Sequence, residues 1–207
     1  MVPPVSGQLF SRAVVHRVRV NSSAGSPTPD MGKYFVFTDK AGAGRGDSQF
    51  KEVCEYLRLV LPSKGLVETD DKETADVAVF VSYKLGEPIE SDAPPLPPPI
   101  TNANGTPFRD GMIQGPGGAY PRHGDIMVPK LLHLSALRYA EYRKTKKRNY
   151  YWRADATLTE KGDDLRRALP ILVAGISSYL GKSVEGDVWV NIAENDPKLL
   201  VLTGSKQ

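Results

Sequence analysis

Apolar and polar residues alternate along several short stretches of the chain, and glycine, proline or polar residues bound each stretch. This alternation predicts strands at residues 13–20, 33–38, 75–85, 130–142, 149–160 and 187–193. The clearest of them is 75–85, where Val77, Val79 and Val81 share one face. We also predict a short last strand at 198–203, across a turn at 194–197.

Two other segments carry apolar residues at helical spacing. The first, 50–61, stops at Pro62, and the second, 165–180, is closed by Gly181. Pro170 is expected to kink or break the second helix, or to start a new one. We therefore predict an α+β fold with one mostly antiparallel β-sheet and two helices packed on one face.

The domain organisation follows from composition along the chain. Residues 1–12 are expected to form a loose N-terminal arm, and 13–207 a single α+β domain with a Pro/Gly-rich excursion at 86–129. Four apolar residues lie in that excursion without a periodic face, so we predict that they contact a partner and become ordered on binding. They are Phe108, Met112, Ile113 and Tyr120.

Charge and cysteine content narrow the classes of function. The 207 residues include 27 basic and 24 acidic ones, a net charge of +3, which makes nucleic acid an unlikely partner. Cys54 is the single cysteine, so no intramolecular disulfide and no cysteine-based metal cage can form. No stretch reaches the ~20 apolar residues of a membrane-spanning helix. We expect no cofactor and no metal.

The glycine-rich residues 41–46 precede a predicted helix and invite comparison with a phosphate-binding loop. A Walker-type loop needs a lysine beside its Ser or Thr, whereas Asp47 stands there and would repel phosphate. We expect instead that Asp47 or Ser48 caps the helix.

A basic run at 143–148 is predicted to form the turn between two strands. Tyr139, Tyr142, Tyr150, Tyr151 and Trp152 flank it. Basic residues interleaved with aromatic ones can hold an anion, although they can also serve as a solvated hairpin tip. The candidate anion contacts are Arg143, Lys144, Lys146, Lys147 and Arg148.

Residues typical of catalysis do not form a recognisable frame. His16, His123 and His133 fall in three separate segments, and no nucleophile elbow or zinc-protease motif occurs. We predict that the protein is not an enzyme.

The second half of the chain resembles a family of uncharacterised envelope lipoprotein domains from Gram-negative bacteria. The resemblance rests on the aromatic strand at 150–152, the Gly162–Leu165 helix start and the Leu169–Pro170 step inside that helix. It spans 33–85 and 130–193. The chain lacks the family's lipid-anchored cysteine. The family has no established activity, so the resemblance implies an envelope location and no functional residue.

Two functional hypotheses follow. The first is a non-enzymatic envelope or periplasmic domain that binds a protein or ligand. Its expected location is the periplasm or the outer membrane if a signal peptide has been removed, and the cytoplasm otherwise. The alternative is a cytoplasmic protein that binds nucleotide through its glycine-rich loop or nucleic acid through its basic turn. The oligomeric state stays open.

Overall fold

The structure is a computed structural model that describes residues 14–25, 32–38, 47–92 and 124–204. The strands are β1 Val15–Ala24, β2 Gly32–Thr38, β3 Leu66–Glu68, β4 Val77–Leu85, β5 Ile89–Glu90, β6 Ile126–Arg138, β7 Tyr150–Lys161 and β8 Val188–Ala193. The α-helices are α1 Ser48–Val60, α2 Tyr139–Thr145, α3 Leu165–Ser177 and α4 Pro197–Gly204. β5 and the start of β6 lie inside the range 86–129 that was predicted as an excursion.

All eight strands join one sheet in the order β3-β2-β4-β6-β7-β1-β8, with β5 paired to β6. β2 runs parallel to β3 and β4, and every other pairing among the described strands is antiparallel. The α+β class is therefore confirmed. Two finer expectations are wrong, because the sheet is mixed and the described residues contain four α-helices rather than two.

Both additional helices replace predicted strand residues, and local hydrogen bonds give the reason. α4 occupies the predicted strand 198–203, because Asp196 Oδ1 accepts a bond from the Lys198 N–H at 2.8 Å and Pro197 stands at the first helical position. α2 occupies the end of the predicted strand 130–142. The Tyr139 N–H still donates to the Asp76 carbonyl at 3.0 Å, in register with the β4–β6 ladder. From there the bonds of Glu141 with Arg138 and Asn149 hold the chain as a helix.

The main core lies between the sheet and three helices, α1, α3 and α4. α3 runs through Pro170 as one helix, so the expected break does not occur. It also approaches β1 very closely, since a Cβ added to Gly175 would lie 3.0 Å from Val18 Cγ1. Trp152, only 1% exposed, fills the centre of this layer.

A polar cluster closes one end of the main core. Lys130 is 1% exposed, and its ammonium donates to the carbonyls of Glu160 at 3.2 Å and Gly162 at 2.6 Å. His16 Nδ1 lies 3.2 Å from Glu160 Oε2. Burial lowers the pKa of Lys130. Burial alone would raise the pKa of Glu160, but the bond with His16 and the charge of Lys130 together bring it below its ordinary value.

Candidate functional site

The face of the sheet opposite α1, α3 and α4, here called the outer face, carries an aromatic cluster at one end. Its rings are Phe35, Phe37, Phe80, Tyr139, Tyr142 and Tyr150. Phe37 stacks on Phe80 with centroids 5.2 Å apart and tilts against Tyr139 at 5.3 Å. Strand alternation places the rings there, because the neighbouring Val36 and Val79 point into the main core. The cluster is a second, smaller hydrophobic core.

α2 packs on this cluster and leads into the basic segment, residues 143–148. Glu141 fixes the helix, since its carboxylate accepts bonds from Arg138 at 3.1 Å and from Asn149 at 2.7 Å. The bond from Asn149, followed by that from Arg138, lowers the pKa of Glu141. Lys146 has a φ of 57°, and its N–H donates to the Tyr142 carbonyl at 2.9 Å. The basic segment is therefore the end of a helix and the following loop, not a two-strand turn.

Four cations of this region lie over aromatic rings. The distances to the ring centroids are 5.8 Å for Arg143 on Tyr139, 5.7 Å for Lys146 on Tyr142, 5.6 Å for Arg148 on Phe80 and 4.8 Å for Arg153 on Tyr150. A cation over a ring face is attracted by the electrons of the ring. These contacts hold the charged groups at the surface above the cluster. Arg143 also forms an ion pair with Glu73.

The five predicted anion contacts thus lie together on one surface, and two of them, Lys144 and Lys147, have neither an ion pair nor a contact with an aromatic ring among the described residues. Lys144 and Lys147 are exposed, and neither ammonium forms an ion pair with any residue in the described part of the chain. Among the flanking aromatics, Trp152 belongs to the main core instead. Tyr151 lies 5.4 Å from the guanidinium of Arg138.

The opposite edge of the outer face carries a further cation–aromatic pair. The guanidinium of Arg17 lies 4.4 Å from the centroid of Trp189, and this indole is 53% exposed. Arg19, the next outward residue of β1, forms a 3.5 Å ion pair with Asp187. This pair is not predictable from the sequence, because only the long-range register of the sheet brings β1 beside β8.

Sequence reasoning also missed a row of Ser82, His133 and Asp155 across β4, β6 and β7. These residues are direct cross-strand neighbours, and His133 Nδ1 lies 2.8 Å from Asp155 Oδ1. A hydroxyl, an imidazole and a carboxylate in this order resemble a hydrolase triad. However, no hydrogen bond joins the Ser82 hydroxyl to the His133 imidazole in the described part of the chain, and the Asp155 carboxylate is exposed to solvent. The row therefore does not support acyl-transfer chemistry.

The start of α1 confirms the expected cap. Asp47 Oδ1 accepts a bond from the Gln49 N–H at 2.9 Å, and its other oxygen accepts one from the Tyr83 hydroxyl at 3.2 Å. Burial, followed by the charge of Asp47, raises the pKa of Tyr83. The glycines preceding Asp47 lie outside the described residues, as do the candidate partner contacts Phe108, Met112, Ile113 and Tyr120.

A cavity of about 290 Å³ lies beside α1 and the end of β3. Its lining includes Cys54 and the ion pair of Arg58 with Glu68. Next to these residues, the hydroxyl of Tyr34 is buried and has no hydrogen-bond partner among the described residues. Burial, followed by the charge of Glu68, raises the pKa of Tyr34.

Two features are absent from the described residues. No helix there is long and apolar enough to cross a membrane. No group of three or more His, Cys, Asp or Glu side chains in that part of the chain is placed to hold a metal ion.

Comparisons with known proteins identify no family. No protein-family model matches the chain, and no curated protein matches it. A PDZ-domain protein from Parabacteroides distasonis aligns at 10% identity and a TM-score of 0.46, over 88% of this chain and 40% of that one. The PelC dodecamer from Paraburkholderia phytofirmans aligns at 12% identity and a TM-score of 0.39, over 80% of this chain and 98% of that one. The chain spans less than half the length of the first protein, and likenesses this distant assign no function.

Proposed function

We propose that this protein is a non-enzymatic binding module that holds an acidic protein partner on the outer face of its sheet. The observation that carries the proposal is the basic segment. It presents five cations in six residues above the aromatic cluster, and two of them, Lys144 and Lys147, have neither an ion pair nor an aromatic contact in the described structure. An acidic partner would supply the missing counter-charges and would be steered to this surface by its charge.

The composition of the outer face supports a protein partner. Arginine, tyrosine and tryptophan dominate the energetic centres of protein interfaces. On this face Arg153 lies over Tyr150 and Arg17 over Trp189, so such pairs occur at both ends of the sheet. The side chains between them, including Thr157 and Thr159, are polar and at least partly exposed. A partner could therefore contact both ends and form hydrogen bonds between them.

The same geometry argues against a nucleic-acid strand. Base stacking requires open ring faces. Phe80 and Tyr139 are only 9% and 7% exposed, because neighbouring rings and cations cover them. The nucleic-acid hypothesis is therefore the weaker one.

Site-specific photo-cross-linking in the native host tests the proposal. A photoreactive amino acid is placed at the positions of Lys147 and Trp189, at the two ends of the outer face. The controls are the positions of Lys51 and Glu55, which are exposed on α1 on the other side of the sheet. We expect one protein to be captured at the first two positions and not at the controls. Lys144→Glu with Lys146→Glu should abolish its capture at Trp189.

Two outcomes would contradict the proposal. Cross-linked adducts that are removed by nuclease but not by protease would favour nucleic acid as the partner. Equal capture at all four positions would show that the outer face is not a specific surface.

The envelope location belongs to the same proposal and rests on the family resemblance. Fractionation of host cells tests it, and we expect the protein with the periplasmic or outer-membrane fraction. Recovery with the cytoplasmic fraction alone would contradict the location but not the acidic-partner proposal.

A further inference from the structure

A groove on the opposite side of the protein lies between α1, α3 and α4. It has a volume of about 410 Å³. Its apolar lining consists of Leu59, Val60, Ala174, Pro197, Val201 and Leu202. Leu59 is 42% and Val201 59% exposed, whereas Leu202 is buried and anchors α4 to the core. The groove therefore presents apolar walls to solvent, and its volume lies within the range of small-molecule sites.

Lysines surround this apolar lining. Lys64 and Lys198 line the groove, and Lys198 donates to the Ser178 hydroxyl at 2.7 Å. Burial lowers the pKa of Lys64, and the charges of Lys182 and Lys198 lower it further, so the three ammonium groups are close enough to repel one another. None of the three forms an ion pair with a carboxylate in the described residues.

The carboxylate of Asp196 forms no ion pair with these lysines in the described structure. Asp196 accepts the backbone N–H bond of Lys198 and so serves as the cap of α4. The groove thus combines an apolar floor with an excess of positive charge at its rim, and its complement is a molecule that is apolar along its length and anionic at one end.

The hydroxyl groups of the groove distinguish an acyl chain from a peptide. Ser63 donates to the Val60 carbonyl at 2.7 Å and Ser177 to the Ala174 carbonyl at 2.8 Å, while Ser178 accepts from Lys198. The serine protons of Ser63 and Ser177 are therefore engaged within the protein, and they occupy the carbonyls of Val60 and Ala174. A peptide backbone would find few partners here, whereas an acyl chain needs none.

We propose that this groove binds a single-chain anionic amphiphile of the fatty-acid type. The chain would lie along Leu59, Val60 and Val201, and the carboxylate would meet the ammonium groups of Lys64 and Lys198. This site lies on the helical side of the protein and does not depend on the function proposed for the outer face.

Calorimetric titration with dodecanoate below its micelle concentration tests the proposal on the whole chain. We expect saturable binding of one molecule, weakened about tenfold by Lys64→Ala with Lys198→Ala, which corresponds to the loss of one good charge contact. Val201→Asp, at an exposed position where folding should be tolerant, should abolish binding. Lys51→Ala with Lys161→Ala is the matched control and should leave the affinity unchanged.

Comparison ligands separate the apolar contribution from the charge. Dodecanol should bind wild type and the double lysine variant equally, and inorganic phosphate alone should not bind measurably. Methyl signals of Leu59 and Val201 should shift on titration while those of Val36 stay. The proposal is overturned if dodecanoate binds the Val201→Asp variant as well as wild type, if phosphate alone accounts for the binding, or if an acidic amphipathic peptide displaces dodecanoate at lower concentration.

Discussion

Substituting Gly175 tests how closely α3 lies on the sheet. A Cβ at this position would lie 3.0 Å, 3.1 Å and 3.3 Å from Val18 Cγ1, Cβ and Cγ2, whereas carbon atoms in good contact are about 3.5–4.0 Å apart. Val18 is fully buried in β1, which is paired with β7 on one side and β8 on the other, so it cannot easily retreat. The helix must therefore shift outward to admit the methyl group.

The expected change in the free energy of unfolding for Gly175→Ala is the difference between two opposing effects. Overpacking a core destabilises a protein by about 1–3 kcal/mol, and replacing a helical glycine by alanine stabilises the helix by about 1 kcal/mol. Gly175→Ala should therefore lower the free energy of unfolding by about 1 kcal/mol, or the melting temperature by about 2–4 °C. Gly175→Val, with two further methyl groups, should cost considerably more.

Denaturant unfolding followed by circular dichroism measures these changes. Gly204→Ala in α4 is the matched control, because a Cβ there would meet nothing within 4 Å, and it should change stability by less than about 0.5 kcal/mol. In the double variant with Val18→Ala, the cost of Gly175→Ala should disappear, since the two residues are in direct contact. If Gly175→Ala stabilises the protein as a surface substitution would, α3 does not rest on Val18 and the packing argument fails.

Other substitutions test the polar groups of the core in the same unfolding experiment. Tyr34→Phe removes a buried hydroxyl without a partner and should be neutral or stabilising by about 1 kcal/mol, whereas Tyr83→Phe loses the bond to Asp47 and should cost about 1 kcal/mol. A clear loss of stability in Tyr34→Phe would show that its hydroxyl is satisfied after all. Asp47→Ala removes the cap of α1 and should lower the free energy of unfolding by about 1–2 kcal/mol. The double variant Asp47→Ala, Tyr83→Phe should lose less stability than the sum of the two single variants. Additive losses would mean that the two side chains act separately. Because the pKa of Glu160 is below its ordinary value of 4.5, its stabilising effect is complete above that pH and is lost as the pH falls through the lowered pKa. Unfolding of wild type and Glu160→Gln at a series of pH values should show a difference in stability at pH 6 that shrinks in acid, and a difference independent of pH would refute this assignment.

The sequence predicts those elements whose periodicity is long and regular. β4 and β7 alternate clearly, and α1 and α3 carry extended apolar stripes with a cap or a closing glycine, so all four were placed near their observed positions. The sequence predicts a strand where α4 lies, because a short run such as Leu199–Leu202 is apolar throughout and fits the period of a strand as well as that of a helix. Asp196 and Pro197 carried the correct signal, but they were interpreted as a turn.

The candidate site was predictable in composition and not in geometry. The charges at 143–148 are adjacent in sequence, so their clustering needed no structure. That Arg148 lies over Phe80, a residue 68 positions earlier, depends on the pairing of β4 with β6. The row of Ser82, His133 and Asp155 likewise appears only when three strands are aligned in register. Side-chain alternation gives the face of a residue, but long-range pairing decides its neighbours.

The position of β1 between β7 and β8 determines when this protein can complete its folding during synthesis. Val18 pairs with Leu158 on one side and Val190 on the other, so β1 has no neighbour until β7, more than a hundred residues later, has left the ribosome. At typical rates of translation this delay is on the order of ten seconds. Throughout that time the apolar side of β1, including Val18 and Val20, stays without its native cover and is accessible to chaperones or to a translocation machinery that accepts unfolded chains. A ribosome-stalled chain that lacks β8 would present an unpaired edge at β1.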